Sequence, residues 1–338
     1  MSCYHNPIIE RRKPRRGFTL IELLVVIVII GILASLIFVG AGAARNSARR
    51  TIIKTQISNV EGALARYLQK YGEYPPDFSD EAAVMRHVRK RWPKFGWQGK
   101  PQTFEVFCDM VEDSTGYCFH VLEPADFPSG SNPESCEFKS RGAHVGALAF
   151  WLGGIYNESL GMFNGFSADV SDPLGFHSGG ITQWDKDSQF LELTLGKNCE
   201  IVELNLPTGG RFPVITANNF PIAYFKPNAA GKYLEKVIPG EEPESLCLHM
   251  RFFARSGWED LGIAVPYAKT NAPLDVAVWH NPKSYQLIHP GLDGKFSDEN
   301  PAEFRVIDPA NDVMAGCTLR DRDNQANFGG TTIESAGN

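Results

Sequence analysis

The sequence has few of the patterns that announce an enzyme. It contains no His-Glu-x-x-His pair, no Gly-x-x-x-x-Gly-Lys-Ser/Thr loop and no Gly-x-Ser-x-Gly elbow. A zinc protease, a P-loop nucleotidase and an α/β-hydrolase are each left without the residues their chemistry needs. Cysteines are sparse, seven in 338 residues, and none forms a Cys-x-x-Cys pair. The eight histidines are scattered, so no Cys/His metal spacing arises. His249, His280 and His289 fall in or beside predicted strands, where a packed or hydrogen-bonded ring is the expected role. An excess of positive charge is also missing: the formal net charge is −6. That disfavours a general nucleic-acid-binding surface, which needs a basic field. Nor is the composition that of a disordered chain, with 43% hydrophobic and 21% charged residues. One globular protein of one or two domains is the expectation.

What the sequence does have is a long apolar run from Leu20 to about Ala44, with Glu22 its only charged residue. The run exceeds the roughly 20 residues a helix needs to cross ~30 Å of hydrocarbon. Arg11, Arg12, Lys13, Arg15 and Arg16 precede it and favour a cytoplasmic N-terminus. Arg45, Arg49, Arg50 and Lys54 follow it and oppose that bias. A cleaved secretory signal fits less well, because the run is too long and lacks a small-x-small cleavage site. A carboxylate inside an apolar helix costs a few kcal/mol and calls for a named partner. The alternative is that Glu22 sits at the interfacial edge of an ordinary signal anchor.

Arg15-Arg16-Gly17-Phe18-Thr19-Leu20-Ile21-Glu22 closely resembles the prepilin-type processing site of type IV pilins and type II secretion pseudopilins. The resemblance implies cleavage after Gly17 by a membrane-embedded aspartic prepilin peptidase. It also implies a mature, N-methylated Phe18 and Glu22 as the fifth mature residue. The new amine at Phe18 would lie one helical turn from Glu22, and the same amine on a neighbouring subunit offers the carboxylate a partner during assembly. Removing residues 1–17 takes away five basic side chains and Glu10, leaving 28 basic against 38 acidic residues, or −10.

Beyond the apolar run, Ile53, Ile57, Val60, Leu64, Tyr67, Leu68 and Tyr71 recur at three- and four-residue spacing, while Lys54, Glu61, Arg66 and Lys70 point elsewhere. This predicts one helical spine from Phe18 to Tyr71, about 80 Å long at ~1.5 Å per residue, ended by Gly72 and Pro75-Pro76. Tyr71-Gly-Glu-Tyr-Pro-Pro resembles the end of the spine in major pseudopilins. Asp80 is placed to N-cap a second helix through about Arg91. Its basic end, Arg86, Arg89, Lys90 and Arg91, suits the helix dipole and is expected to be solvated. From about 92 to 220 the texture turns to Gly, Pro and aromatic residues, a loop-rich insertion. Within it Gly146–Gly153 suggests a short helix, and 190–195 with 200–206 suggests paired strands around Gly196-Lys-Asn. Trp151, Phe163, Phe166 and Phe176 read as packing residues rather than a sugar-stacking platform. Further strands are expected at 220–226, 275–280 and 284–289, the last two joined by an Asn281-Pro-Lys turn.

The stretch Ser284-Tyr-Gln-Leu-Ile-His-Pro-Gly-Leu-Asp-Gly-Lys resembles the C-terminal signature of major pseudopilins, a tyrosine-bearing strand followed by a Gly-x-Asp-Gly-Lys loop. With Asp321-Arg-Asp-Asn-Gln-Ala-Asn-Phe downstream, it also resembles the acidic loops through which several such proteins bind calcium. Asp293, Asp298, Asp321 and Asp323 are the candidate ligands, since calcium takes six to eight oxygens. The alternative is that these aspartates shape turns. Cys3 lies in the segment expected to be removed. The remaining Cys108, Cys118, Cys136, Cys199, Cys247 and Cys317 either form up to three disulfides, with 15 connectivities open, or are scattered thiols.

These observations converge on an α+β protein. Residues 1–17 form a leader, 18–44 the transmembrane half of the helix, 45–72 its exposed half, and 73–338 a pilin-like head with an antiparallel sheet and the insertion at about 92–220. The resemblance implies a structural subunit of a periplasmic or surface filament, in a type II secretion-like or type IV pilus-like system, and not an enzyme. The protein would sit in the inner membrane by a single pass, N-terminus cytoplasmic and head extracytoplasmic, before entering the filament. Its partners would be the prepilin peptidase, other pilin or pseudopilin subunits, an inner-membrane assembly platform and membrane lipid. A membrane-anchored binding protein that does not polymerise, with a head that recognises glycan, protein or DNA, is the alternative.

Overall fold

A computed structural model describes residues 18–117, 142–158, 160–203, 211–233, 250–253, 260–270, 272–273, 276–296, 305–308, 313–315 and 323–328; in the first helix the side chains of 36–40 lie outside that description. The chain divides into two units, Met1–Ala48 and Arg49–Asn338.

Helix α1 runs Leu20–Tyr71. In the first unit its apolar side chains cover every face: Leu23 through Ile30 are each at least 46% exposed. A helix that is apolar all round has no solvated side, so this surface requires a cover. Among the described residues, which leave out the side chains of 36–40 within the apolar run, no helix is long and apolar enough to cross a membrane.

In the second unit α1 becomes one-sided. Ile53, Ile57, Val60, Leu64 and Tyr67 are buried, alternately four and three residues apart, and Ala63 beside them leaves room for close approach. Burial of each large member contributes roughly 1.5–3 kcal/mol. Gly72 ends the helix in the left-handed conformation (φ 72°), its N–H bonded to the Leu68 carbonyl at 2.7 Å. After the prolines, α2 (Glu81–Arg91) begins where expected, with Asp80 accepting from the Ala82 and Ala83 N–H groups. Helix α3 (Phe104–Thr115) is capped by Thr103 and closed by Gly116. In helix α4 (Gly142–Gly153) Val145 and 147–152 are buried, so its described side chains face the core all round, which makes it the central helix of the second unit.

The sheets are small. β1 (Tyr156–Asn157) pairs with β2 (Met162–Phe163), and β3 (Phe166–Ser167) with β4 (Trp184–Asp185). β5 (Cys199–Glu203), β6 (Arg211–Ala217) and β7 (Phe220–Pro221) form an antiparallel ladder against which α4 packs. β8 (Ala223–Phe225) pairs with a later strand, β12. β9 (Met250–Phe253) and β10 (Asp260–Ala264) form a further antiparallel pair, and β11 (Tyr267–Ala268) follows. β12 (Gln286–His289) is central, flanked antiparallel by β8 and by β15 (Gln325–Ala326). β13 (Arg305–Asp308) joins β11 in parallel and β14 (Val313–Ala315) in antiparallel. Instead of one head sheet, several two- and three-stranded sheets surround two adjoining cores, one around α1–α4 and one around β8, β12 and β15.

Among its described residues the loop-rich stretch 92–220 holds α3, the short helix expected near 146–153 as α4, and much of the aromatic core, including Phe150, Trp151, Phe163 and Phe166. Three expectations are corrected. Residues 190–195 form no continuous strand along β5; only Leu195 bridges to it, at Cys199. The N–H groups of Phe190 and Leu191 both go to the Leu152 carbonyl at the end of α4, and the Phe190 carbonyl accepts from Arg66 at 2.6 Å, so the backbone is already engaged. Residues 276–280 turn rather than extend, with the Val276 and Ala277 N–H groups both on the Pro273 carbonyl and only Trp279 bridging to Ala268. Finally, Arg91 is not a solvated helix end: it is 8% exposed and enclosed by rings.

Candidate functional site

The first candidate lies at the start of α1. Thr19 is the N-cap: its carbonyl accepts the Leu23 N–H at 3.2 Å, and its Oγ1 accepts the Glu22 N–H at 3.3 Å. Glu22 reaches back, Oε2 accepting from the Thr19 N–H at 2.9 Å and from its hydroxyl at 2.8 Å. This reciprocal arrangement is a capping box. It satisfies two backbone donors that a helix start leaves open, and it holds the carboxylate within one turn of Phe18. Phe18, 81% exposed, precedes the cap directly; Gly17 lies outside the described residues. Thr-x-x-Glu ahead of an apolar run is a signal readable in the sequence, although the motif there drew attention to Glu22 as an isolated charge.

The second candidate is the loop after β12. Asp323 Oδ2 accepts the Leu292 N–H at 2.6 Å and the Asp293 N–H at 3.2 Å, while Asp293 Oδ1 accepts the Lys295 N–H at 2.9 Å. The two glycines of the loop are explained by their surroundings. A Cβ at Gly291 would overlap the Asp323 carbonyl and carboxylate, and one at Gly294 would overlap the Phe220 ring; both residues have positive φ. Below the loop, His289 is fully buried. Its Nδ1 accepts the Gly291 N–H at 3.0 Å, so Nε2 carries the proton and donates to the Ala217 carbonyl at 2.8 Å. Burial lowers its pKa to about 4.

The structure therefore brings Asp293 and Asp323 together, while Asp298 and Asp321 lie outside the described residues. The two carboxylates already hold backbone N–H groups, and among the described residues no three His, Cys, Asp or Glu side chains cluster. Their chemistry fits a clasp that closes the loop, and by themselves they do not make a calcium site. Sequence reasoning missed the clasp because Asp323 stands some thirty residues from the groups it binds.

Of the cysteines, Cys108 is buried in α3. Cys199 is a buried free thiol, donating weakly to the Glu200 carbonyl at 3.7 Å, with burial pushing its pKa up. Cys118, Cys136, Cys247 and Cys317 lie outside the described residues.

Comparison with known proteins bears on the first candidate. Residues 12–38 match the prokaryotic N-terminal methylation motif. The chain is 43% identical over 65 residues to a type II secretion system core protein G of Klebsiella michiganensis, covering 19% of this chain and 46% of that protein. It is 33% identical over 95 residues to the protein of the same name from Pseudomonas aeruginosa, covering 27% of this chain and 67% of that protein. A Pectobacterium carotovorum relative, again named core protein G, is 37% identical over 73 residues, 22% of this chain and 47% of its own. The chain thus spans about half the length of the first of these relatives. No solved structure matches it.

Proposed function

Because the chain belongs to the type IV pilin and pseudopilin family, we propose that it is a structural subunit of a type II secretion-like filament, working by assembly rather than catalysis. The observation that carries this is the methylation motif over 12–38, which overlies the Thr19–Glu22 capping box and the exposed apolar start of α1. On this proposal the prepilin peptidase cuts after Gly17 and Phe18 is methylated. The apolar run to about Ala44 then holds the subunit in the inner membrane by one pass, with the head outside. Assembly partners are other pseudopilin subunits and the inner-membrane platform.

The capping box gives Glu22 a definite part. Its carboxylate is already turned back to the first N–H of the helix, so a Phe18 amine created by cleavage, on its own or a neighbouring subunit, would meet an oriented acceptor. That pairing would neutralise two charges that are costly in an apolar environment and would fix the register of one subunit on the next. The matched relatives cover only 19% and 27% of this chain. A much larger head suits a minor, tip or otherwise specialised subunit.

Intact-mass and N-terminal peptide spectrometry on protein from its native membrane tests the processing step: methylated Phe18 is the expected terminus, and an intact Met1 in a host with a working peptidase overturns it. Calcium is a separate proposal that depends on Asp298 and Asp321 joining Asp293 and Asp323. A rise in melting temperature with calcium that is lost in Asp321→Asn supports it, and an unchanged melting curve opposes it.

A further inference from the structure

The end of α1 is tied to α2 by a line of buried polar groups that neither processing nor assembly uses. Arg91 Nη1 donates to Tyr67 Oη at 2.9 Å, Tyr67 Oη meets His87 Nε2 at 2.5 Å, and His87 Nδ1 meets Glu73 Oε1 at 2.8 Å. Tyr67, His87 and Arg91 are all buried, whereas the Glu73 side chain is 37% exposed. The direction of every bond follows from chemistry. A guanidinium only donates, so the Tyr67 oxygen accepts from Arg91; the Glu73 carboxylate only accepts, so the proton of the neutral His87 ring sits on Nδ1, and the bare Nε2 accepts the Tyr67 hydroxyl.

We propose that this line is an acid-sensitive latch, holding the last turns of α1 and the turn after them against α2, and released when His87 takes a second proton. The added proton would sit on Nε2 and point at the Tyr67 oxygen. Tyr67 would then have to turn its own hydroxyl away from its acceptor in a site walled by rings: the Tyr67 ring stacks on His87 at 5.6 Å and Trp151 meets it edge-on at 5.0 Å. The charged groups around His87 decide the sign. From α2 itself come Arg91, and Lys90 bound to Glu73 at 3.5 Å; from the α1 end come Tyr67 and Tyr71; from beyond β8 comes Lys226. Glu73 alone is an anion in this group, and it already shares its charge with Lys90. Arg91 is a second cation beside the ring; among the described residues its buried Nε and Nη2 have no hydrogen-bond partner, and its charge rests on the faces of Tyr71, Trp92 and Phe166 at 4.4–4.9 Å.

An imidazolium is thus disfavoured in the closed latch and accepted once the latch opens. Burial, outweighing Glu73, lowers the His87 pKa to about 4. Opening then becomes more favourable by up to about tenfold per pH unit between roughly 6.5 and 4. The device does not rest on the proposed function, although an extracytoplasmic head would expose it to the pH of the medium.

The test uses the full chain in detergent. Hydrogen exchange followed by mass spectrometry, corrected for the intrinsic pH dependence, is measured from pH 7 to 4.5 on the wild type and on His87→Gln, which can still accept from Tyr67 and donate to Glu73. The expected result is acid-enhanced opening in 67–73 and 81–91 of the wild type, flattened in the variant. Equal pH dependence in the two proteins overturns the proposal. Nitrogen-15 spectra of histidine-labelled wild type read the tautomer directly and need no folded variant: a neutral ring protonated at Nδ1 at pH 7 is required. A His87 protonated at Nε2, or charged by pH 6, refutes the latch.

Discussion

His289 joins two pieces of backbone that are distant in sequence: β12 with the loop after it, and the end of β6. Its folded pKa of about 4 lies below the ordinary value near 6.5, so its contribution is complete above pH 6.5 and is lost as pH falls from there towards 4. Between pH 7 and 5 the loss should reach about 2 kcal/mol. Urea unfolding of wild type and His289→Gln at both pH values checks this, with the variant expected to show the smaller acid loss. Gly291 is equally specific. Alanine there must adopt positive φ and displace Asp323, so Gly291→Ala should cost about 2–4 kcal/mol. A cost below about 0.5 kcal/mol in equilibrium denaturation would contradict the clasp.

Helix α1 is two different elements under one hydrogen-bond ladder. From Leu20 to Leu33 its apolar side chains point outward in all directions; after Arg49 a single stripe is buried. Leu64→Ala should therefore destabilise the second unit by about 2–5 kcal/mol, while Lys54→Ala, on the exposed face, should stay within about 0.5 kcal/mol. Thermal melts of both variants in detergent distinguish them. For α2, Asp80→Ala removes an acceptor for two N–H groups and should cost about 1 kcal/mol. The polar face of α1 is also tied down: Arg66 and Lys70 donate to the carbonyls of Phe190 and Asp187. This is why the 187–190 segment follows the helix rather than joining a sheet.

For the whole molecule, the role proposed for Glu22 separates insertion from assembly. Glu22→Ala should insert into the inner membrane and be cleaved like the wild type, yet should lose most incorporation into filaments, because a Phe18 amine in an apolar setting would lack its oriented carboxylate. Membrane fractionation alongside shearing of extracellular filaments reads both. Normal incorporation of the variant would remove Glu22 from the mechanism and favour an anchored protein that does not polymerise.

Much of this was legible in the sequence because it depends on groups close together along the chain. The Arg-Arg-Gly-Phe-Thr-Leu-Ile-Glu motif, the apolar run, the three-and-four stripe from Ile53, the Gly72 stop and the Asp80 cap are all local patterns, set by helix geometry and by donors a few residues away. The acidic loop was also visible, but its purpose was not, since nothing near Gly291 announces that Asp323 will close it. Arg91 shows the same limit: a basic helix end reads as solvated until α4 and β3 bring Trp151 and Phe166 over it. The insertion was hardest to read. Its backbone donors are claimed by partners such as the Leu152 carbonyl rather than by neighbouring strands, and long-range competition of that kind leaves no periodicity in the sequence. Local hydrogen bonding and hydrophobic spacing determined the spine, and the family resemblance at residues 15–22 pointed to its methylation motif. Only tertiary packing decided which carboxylates clasp, which cation is buried and which apparent strands form.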